Sequence, residues 1–198
     1  LYSTFPEATP ETIRGLVVHS ANWTDKMFAQ FKETRDLDRD VYKKLLRTCG
    51  YGVPDFDKAI NCYANSLTLI AEDTIQPFIK IDSDIKTNVM NLYTLPWPKE
   101  ALEDLGSLEV EMRVTLSYFI EPAPTEMAVS SFNRYNYPSH GLRFEVNHPN
   151  ESMQEFKTRC NKQDRTEDYI SSGLSTSDYW KIGKNTRDRG SIISDVWK

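Results

Sequence analysis

The sequence predicts an α+β protein: a short helical segment to about Cys62, followed by an antiparallel β-sandwich or jelly-roll-like domain with helical insertions. Up to Cys62 the apolar residues recur at three- and four-residue spacing, which is the period of one helix face. From Ser66 onward the period falls to two. Its clearest stretch sets Val110, Met112, Val114, Leu116, Tyr118 and Ile120 against Glu109, Glu111, Arg113, Thr115 and Ser117, and ends at Pro122. With 39% hydrophobic and 27% charged residues in 198, the chain has material for one sizeable core or two small ones and is too apolar for disorder.

The first helix begins at Thr9-Pro10-Glu11, where Thr9 caps the open amides, Pro10 suits the first helical position and Glu11 faces the positive end of the dipole. Ile13, Leu16, Val17 and Ala21 form its apolar face. Thr24 caps a second, shorter helix with Met27, Phe28 and Phe31 on one side, and Tyr42, Leu45, Leu46 and Cys49 mark a third. Between them, Asp36-Leu37-Asp38-Arg39-Asp40 resembles a calcium loop. Val41 stands where that loop needs Gly and Arg47 where it needs Glu, so the stretch reads as a solvated loop that caps the next helix.

Short strands are expected at Ser66–Ala71, Pro77–Ile81 and Asn88–Leu95, with a helix from Pro98 to Gly106. The stretch from Val110 to Ile120, about eleven positions, is expected to run roughly 36 Å as one strand. Val114 and Leu116 should face a core and Arg113 water. Leu142, Phe144 and Val146 predict a further strand, and Asn150 a cap for a helix over Ser152–Lys162. The polar, aperiodic stretch Gln163–Ser177 predicts a loop.

The formal net charge of -5 places acidic residues in excess, which argues against nucleic acid as a partner. No apolar run approaches the roughly 20 residues that span a bilayer, so no membrane partner is expected. Cys49, Cys62 and Cys160 are odd in number and lack a Cys-x-x-Cys pair. Reduced thiols in a cytoplasmic compartment are the expectation. Ser139-His140-Gly141 runs on into Leu142 and reads as a local turn, His19 as a packing residue of the first helix, and His148 as loop. Gly173-Leu174-Ser175-Thr176-Ser177 lacks the second Gly of a nucleophile elbow, and phosphate loops and dinucleotide fingerprints are absent from the sequence. No catalytic, cofactor-binding or metal-binding residue is therefore expected, and no cofactor. Trp97, Trp180 and Trp197 either line a sugar- or peptide-binding surface or, more plainly, pack in the core. Arg187, Arg189 and Asp195 suggest a surface ion-pair cluster contributing about 0 to 1 kcal/mol per pair.

Two blocks, Thr9-Pro10-Glu11-Thr12-Ile13-Arg14 running to Ser20-Ala21, and Gly50, Gly52 and Ala59, together resemble the end of a subtilisin-like serine protease domain (subtilase, S8 family). In that family the helix bearing the nucleophilic Ser is followed by such a helix, a Gly-x-Gly loop and a last short helix. Leu95-Pro96-Trp97-Pro98-Lys99-Glu100-Ala101-Leu102, Val114 to Pro122, Arg187 to Ser191, and Ser194-Asp195-Val196-Trp197 are similar to a bacterial subset of intracellular subtilases with a β-rich C-terminal extension. The resemblance implies that residues 1–62 are the helical tail of an α/β catalytic domain and residues 63–198 an accessory domain. The Ser/His/Asp triad would lie upstream of Leu1, since the Asp-Thr/Ser-Gly, His-Gly-Thr and Gly-Thr-Ser-x-Ala contexts do not occur in these residues. The chain, which opens without Met, is expected to start inside a longer endopeptidase and to be inactive alone.

Its implied partners are the upstream catalytic domain and protein or peptide substrates. Without that domain the face of Ile13, Leu16 and Val17 is expected to be exposed, buried against the chain's own β-domain, or covered by self-association. The rival expectation is a stand-alone β-sandwich module that binds protein or carbohydrate without proteolysis.

Overall fold

A computed structural model describes residues 1–31, 39–64, 68–76, 78–87, 91–95, 99–108, 110–119, 142–148, 150–165, 179–188 and 190–197. In chain order the elements are α1 (Pro10–Ser20), α2 (Asp25–Ala29), α3 (Arg39–Cys49), α4 (Phe56–Ala64), β1 (Phe78–Ile81), β2 (Asp84–Thr87), α5 (Lys99–Leu105), β3 (Met112–Ser117), α6 (Met153–Arg165), α7 (Lys184–Arg187) and β4 (Ile192–Trp197). The protein mixes helices with antiparallel pairing. Among the described residues β1 pairs with β2 and β3 with β4, each as a two-stranded sheet.

Helix α1 starts where its residues dictate. The Thr9 hydroxyl accepts from the Thr12 amide at 3.3 Å, and Pro10 is the first helical residue. The carboxylate of Glu72 adds a second negative group at this end, accepting from the Thr9 amide and hydroxyl at 3.2 and 3.0 Å and from the Thr12 hydroxyl. Of the apolar face of α1, Ile13 and Leu16 are buried and Val17 is half-buried. Val41, Tyr42 and Leu45 of α3 form a core with Ile182, from far along the sequence. Trp23, Met27, Phe28, Phe31, Leu46 and Tyr51 pack around it.

The alternating stretch is a strand, though a shorter one and half-buried on both faces, Val114 and Leu116 as much as Arg113 and Thr115. β3 spans six residues rather than eleven because its partner β4 offers only six, Met112 facing Trp197 and Ser117 facing Ile192. The face expected to be wet packs on α1. Arg113 donates to the carbonyls of His19 and Ala21, Thr115 bonds the His19 ring, and the Cβ of Ser117 lies 3.6 Å from where a Cβ on Gly15 would sit. Alternation marks a strand but not which face a helix will cover, and α1 offers this one arginine-seeking carbonyls rather than hydrocarbon.

Other expectations are corrected for similar reasons. The expected strand at Leu142, Phe144 and Val146 is irregular, because arginine side chains take its backbone carbonyls: Arg187 bonds that of Phe144 at 3.2 Å and Arg159 that of Val146 at 3.0 Å. Residues 68–71 and 91–95 are irregular too, and Asp73 holds Asn91 and Tyr93 through its side chain. Of the strand expected at Pro77–Ile81, Phe78–Ile81 is β1, turned into β2 at Asp82 with φ 55°, and Pro77 lies outside the described residues. Helix α6 is capped by Ser152 rather than Asn150: the Ser152 hydroxyl accepts from the Glu155 amide, while the Glu155 carboxylate accepts from the Ser152 amide at 2.9 Å. It continues to Arg165, into the stretch expected to be loop. Residues 166–178, the loop 36–38, Trp97, Arg189 and Ser139-His140-Gly141 lie outside the described residues.

Candidate functional site

The two blocks that carry the family resemblance meet in space. Asn22, just past α1, pairs with Val53 in an antiparallel bridge whose two backbone hydrogen bonds measure 3.0 and 2.9 Å. This contact needs Gly at 52, where φ is 97° and an added Cβ would fall 2.3 Å from the Asn22 carbonyl oxygen. The buried Ser20 hydroxyl accepts from the Asp55 amide at 3.2 Å, and the Asp55 carboxylate accepts from the Lys58 amide at 2.9 Å to start α4. Helix α4 then packs on α1 and buries Ala59 to 1% exposure, where a larger side chain would force the two helices apart.

On the other side of α1, polar groups tie it to the β3–β4 sheet. The Arg14 guanidinium donates to the Ser117 hydroxyl at 2.9 Å and to the carbonyls of Tyr118 and Ser191 at 2.8 and 2.6 Å. Arg113 reaches back to the far end of the helix, bonding the His19 and Ala21 carbonyls at 2.9 and 2.5 Å and the Asn22 side-chain oxygen at 3.0 Å. Between these arginines runs a chain of side chains: His19 Nδ1 lies 3.0 Å from the Thr115 hydroxyl, which lies 2.7 Å from that of Ser194. The Tyr51 hydroxyl accepts from the Ser194 amide and donates to the Ile192 carbonyl, both at 3.2 Å.

The His19 imidazole is held neutral. Burial foremost, then the positive charges of Arg113 and Lys58, bring its pKa down from 6.5 to about 4. In the unfolded chain it takes up a proton below about pH 6.5, so its contribution to stability is complete above that pH and is lost as pH falls towards 4. The loss amounts to about 3 kcal/mol. Urea denaturation of the wild type between pH 7 and 4 should show this decline, and His19→Gln, which keeps a bond to Thr115, should show a shallower one.

A second buried cluster joins α7 to β4. Arg187 and Asp195 were expected at the surface, yet each is 1% exposed. The Arg187 guanidinium lies 4.2 Å from the centre of the Phe144 ring and 5.0 Å from that of Trp180, and pairs with Asp188 at 2.6 Å, Glu145 at 3.9 Å and Asp195 at 4.0 Å. Asp195 also accepts from the amides of Ile182, Gly183 and Val196, each at 2.9 Å. Burial pushes its carboxyl above the ordinary value, and these donors pull the other way. The inward placement follows from the sequence of β4, Ile192-Ile193-Ser194-Asp195-Val196-Trp197, which is covered on both faces.

Neither cluster forms a nucleophile, base and orienting carboxylate in one constellation. His19 faces Thr115, with no carboxylate hydrogen-bonded to it among the described residues. His148 sits edge-on to Tyr179 and Trp197, whose rings stack at 4.9 Å, and burial lowers its pKa. Trp180 is core and Trp197 half-buried beside it. No group of three or more His, Cys, Asp or Glu is arranged to hold a metal ion among the described residues. Nor is any helix among them long and apolar enough to cross a membrane. The two arginines and the Thr115–Ser194 pair carry no sequence motif; only the Ser and Thr on the polar face of β3 hint at them.

Compared with known protein families, with characterised proteins and with solved structures, the chain matches none.

Proposed function

We propose that this chain is the C-terminal, non-catalytic portion of an intracellular, cytoplasmic subtilisin-like serine endopeptidase. The parent hydrolyses peptide bonds through a Ser nucleophile, a His base and an Asp orienter, all upstream of Leu1. In this proposal residues 1–62 close the catalytic domain, and residues 63–198 form its β-rich accessory domain, of sandwich or jelly-roll type. One observation carries it: the capped α1 and the Gly-x-Gly loop, which suggest the family by order and spacing alone, pack as one unit through the Asn22–Val53 bridge, Gly52 and the buried Ala59. A packed helix–loop–helix of this kind is what the resemblance to the end of a subtilase domain implies.

A second proposal, the stand-alone binding module, draws on the burial of Ile13 and Leu16 inside the chain, which leaves that face of α1 needing no further domain. The reading frame upstream of Leu1 separates the two. A Gly-Thr-Ser-x-Ala segment about twenty residues before Thr9 is expected for the protease, as on the nucleophile helix of the family. A start codon close to Leu1 would remove it.

A further inference from the structure

We infer that the β3–β4 sheet is an intramolecular clamp on α1, with Arg113 as its lock, so that helix and C-terminal strands open and close together. Helix ends leave carbonyls without partners. In α1 the His19 carbonyl and, just beyond the helix, that of Ala21 are met by a guanidinium from a strand more than ninety residues downstream, together with the Asn22 side chain. The N-terminal half is fastened by Arg14 to the other end of the same sheet, through Ser117, Tyr118 and Ser191. The sheet thus grips α1 at both ends, and the His19–Thr115–Ser194 chain fills the span between.

The strands are equally dependent on the helix. β4 pairs along its length with β3 and at its end with Trp180, whose neighbour Lys181 donates to the Val196 carbonyl at 3.0 Å, and so narrow a ribbon is marginal in water without a packed face. The face of β3 carrying Arg113, Thr115 and Ser117 finds that cover on α1. Under the protease proposal, on which this last step rests, α1 backs the helix that bears the nucleophile. The C-terminal strands are then a brace that the active site depends on, rather than a separable recruiter of substrate.

Amide exchange on the 198-residue chain tests the clamp without reference to proteolysis. Arg113→Ala should raise exchange in Leu16–Ala21 and in Ile193–Val196 together, by about tenfold or more, the size expected for hydrogen bonds to a charged group. Arg113→Lys, which keeps the charge but lacks the fork, should fall between. Thr115→Val, nearly isosteric, should raise both segments by a smaller factor, and provides the test should Arg113→Ala unfold. Lys86→Ala on β2 should change neither. Unchanged protection of α1 in these variants, or loss in the strands alone, would overturn the clamp. In the longer parent, Arg113→Ala should slow labelling of the active-site Ser by a fluorophosphonate, with partial rescue by Arg113→Lys. Wild-type labelling rates in Arg113→Ala would overturn the brace, whereas an unlabelled wild-type parent would sink the protease proposal and leave the exchange result standing.

Discussion

Arg187→Ala is expected to destabilise the chain by about 3–5 kcal/mol, the range for breaking a buried ion pair on one side. Arg187 and Asp195 are both 1% exposed, so removing the guanidinium leaves a carboxylate in the interior with backbone amides but without its closest buried cation. The stacking of Arg187 on Phe144 and Trp180 is lost at the same time. Arg187→Met, which keeps much of the volume, should still be costly while Asp195 is present, and the double variant with Asp195→Asn should recover part of the loss. Urea denaturation of the wild type, Arg187→Met, Asp195→Asn and the double variant measures the coupling. Additive effects would mean that the 4.0 Å pair contributes nothing of its own.

Gly52→Ala should cost about 2–5 kcal/mol, combining backbone strain at positive φ with a clash against backbone that cannot yield. The comparison is Gly50→Ala in the same loop. There φ is 58°, inside the left-handed region, and an added Cβ meets nothing within 4 Å, so about 1–2 kcal/mol is expected. Exchange of the Asn22 and Val53 amides should rise in Gly52→Ala and remain near wild type in Gly50→Ala. Equal effects at the two positions would show that the close approach to Asn22 is not what Gly52 provides.

The local rules were legible where one residue decides one bond. Thr9 and Thr24 cap their helices, Gly106 with φ 57° follows the end of α5, and the stripe of Tyr42 and Leu45 is buried. What was illegible depends on partners distant in sequence. β4 has no alternation, because both of its faces are covered and it carries Ser194 and Asp195 among apolar residues. Arg113 looked like a wet residue of a half-buried strand, and only the position of α1 makes it a cap. Phe144 alternates properly with Arg143 and Glu145, yet its carbonyl goes to Arg187 instead of a ladder. In each case a long polar side chain from elsewhere satisfies backbone that the local pattern would assign to regular structure or to water.

The same limit applies to the site. Gly50, Gly52 and Ala59 are visible as a motif, whereas the bridge from Asn22 to Val53 that joins them to α1 is a tertiary contact. Histidines and serines are visible too, but what His19 does is set by Arg113, Lys58 and Thr115, which lie 39 or more residues away in the sequence.

The proposal that this chain is the non-catalytic portion of a subtilisin-like endopeptidase is tested most directly by fluorophosphonate labelling read by intact mass. The folded 198-residue chain and the longer parent are treated side by side, with heat-denatured controls. Only a Ser activated by a base and an oxyanion site reacts readily, so the account predicts no label on residues 1–198 and one label on the parent, at a Ser upstream of Leu1. Stoichiometric labelling of the folded 198-residue chain, or a parent that takes no label, would contradict it.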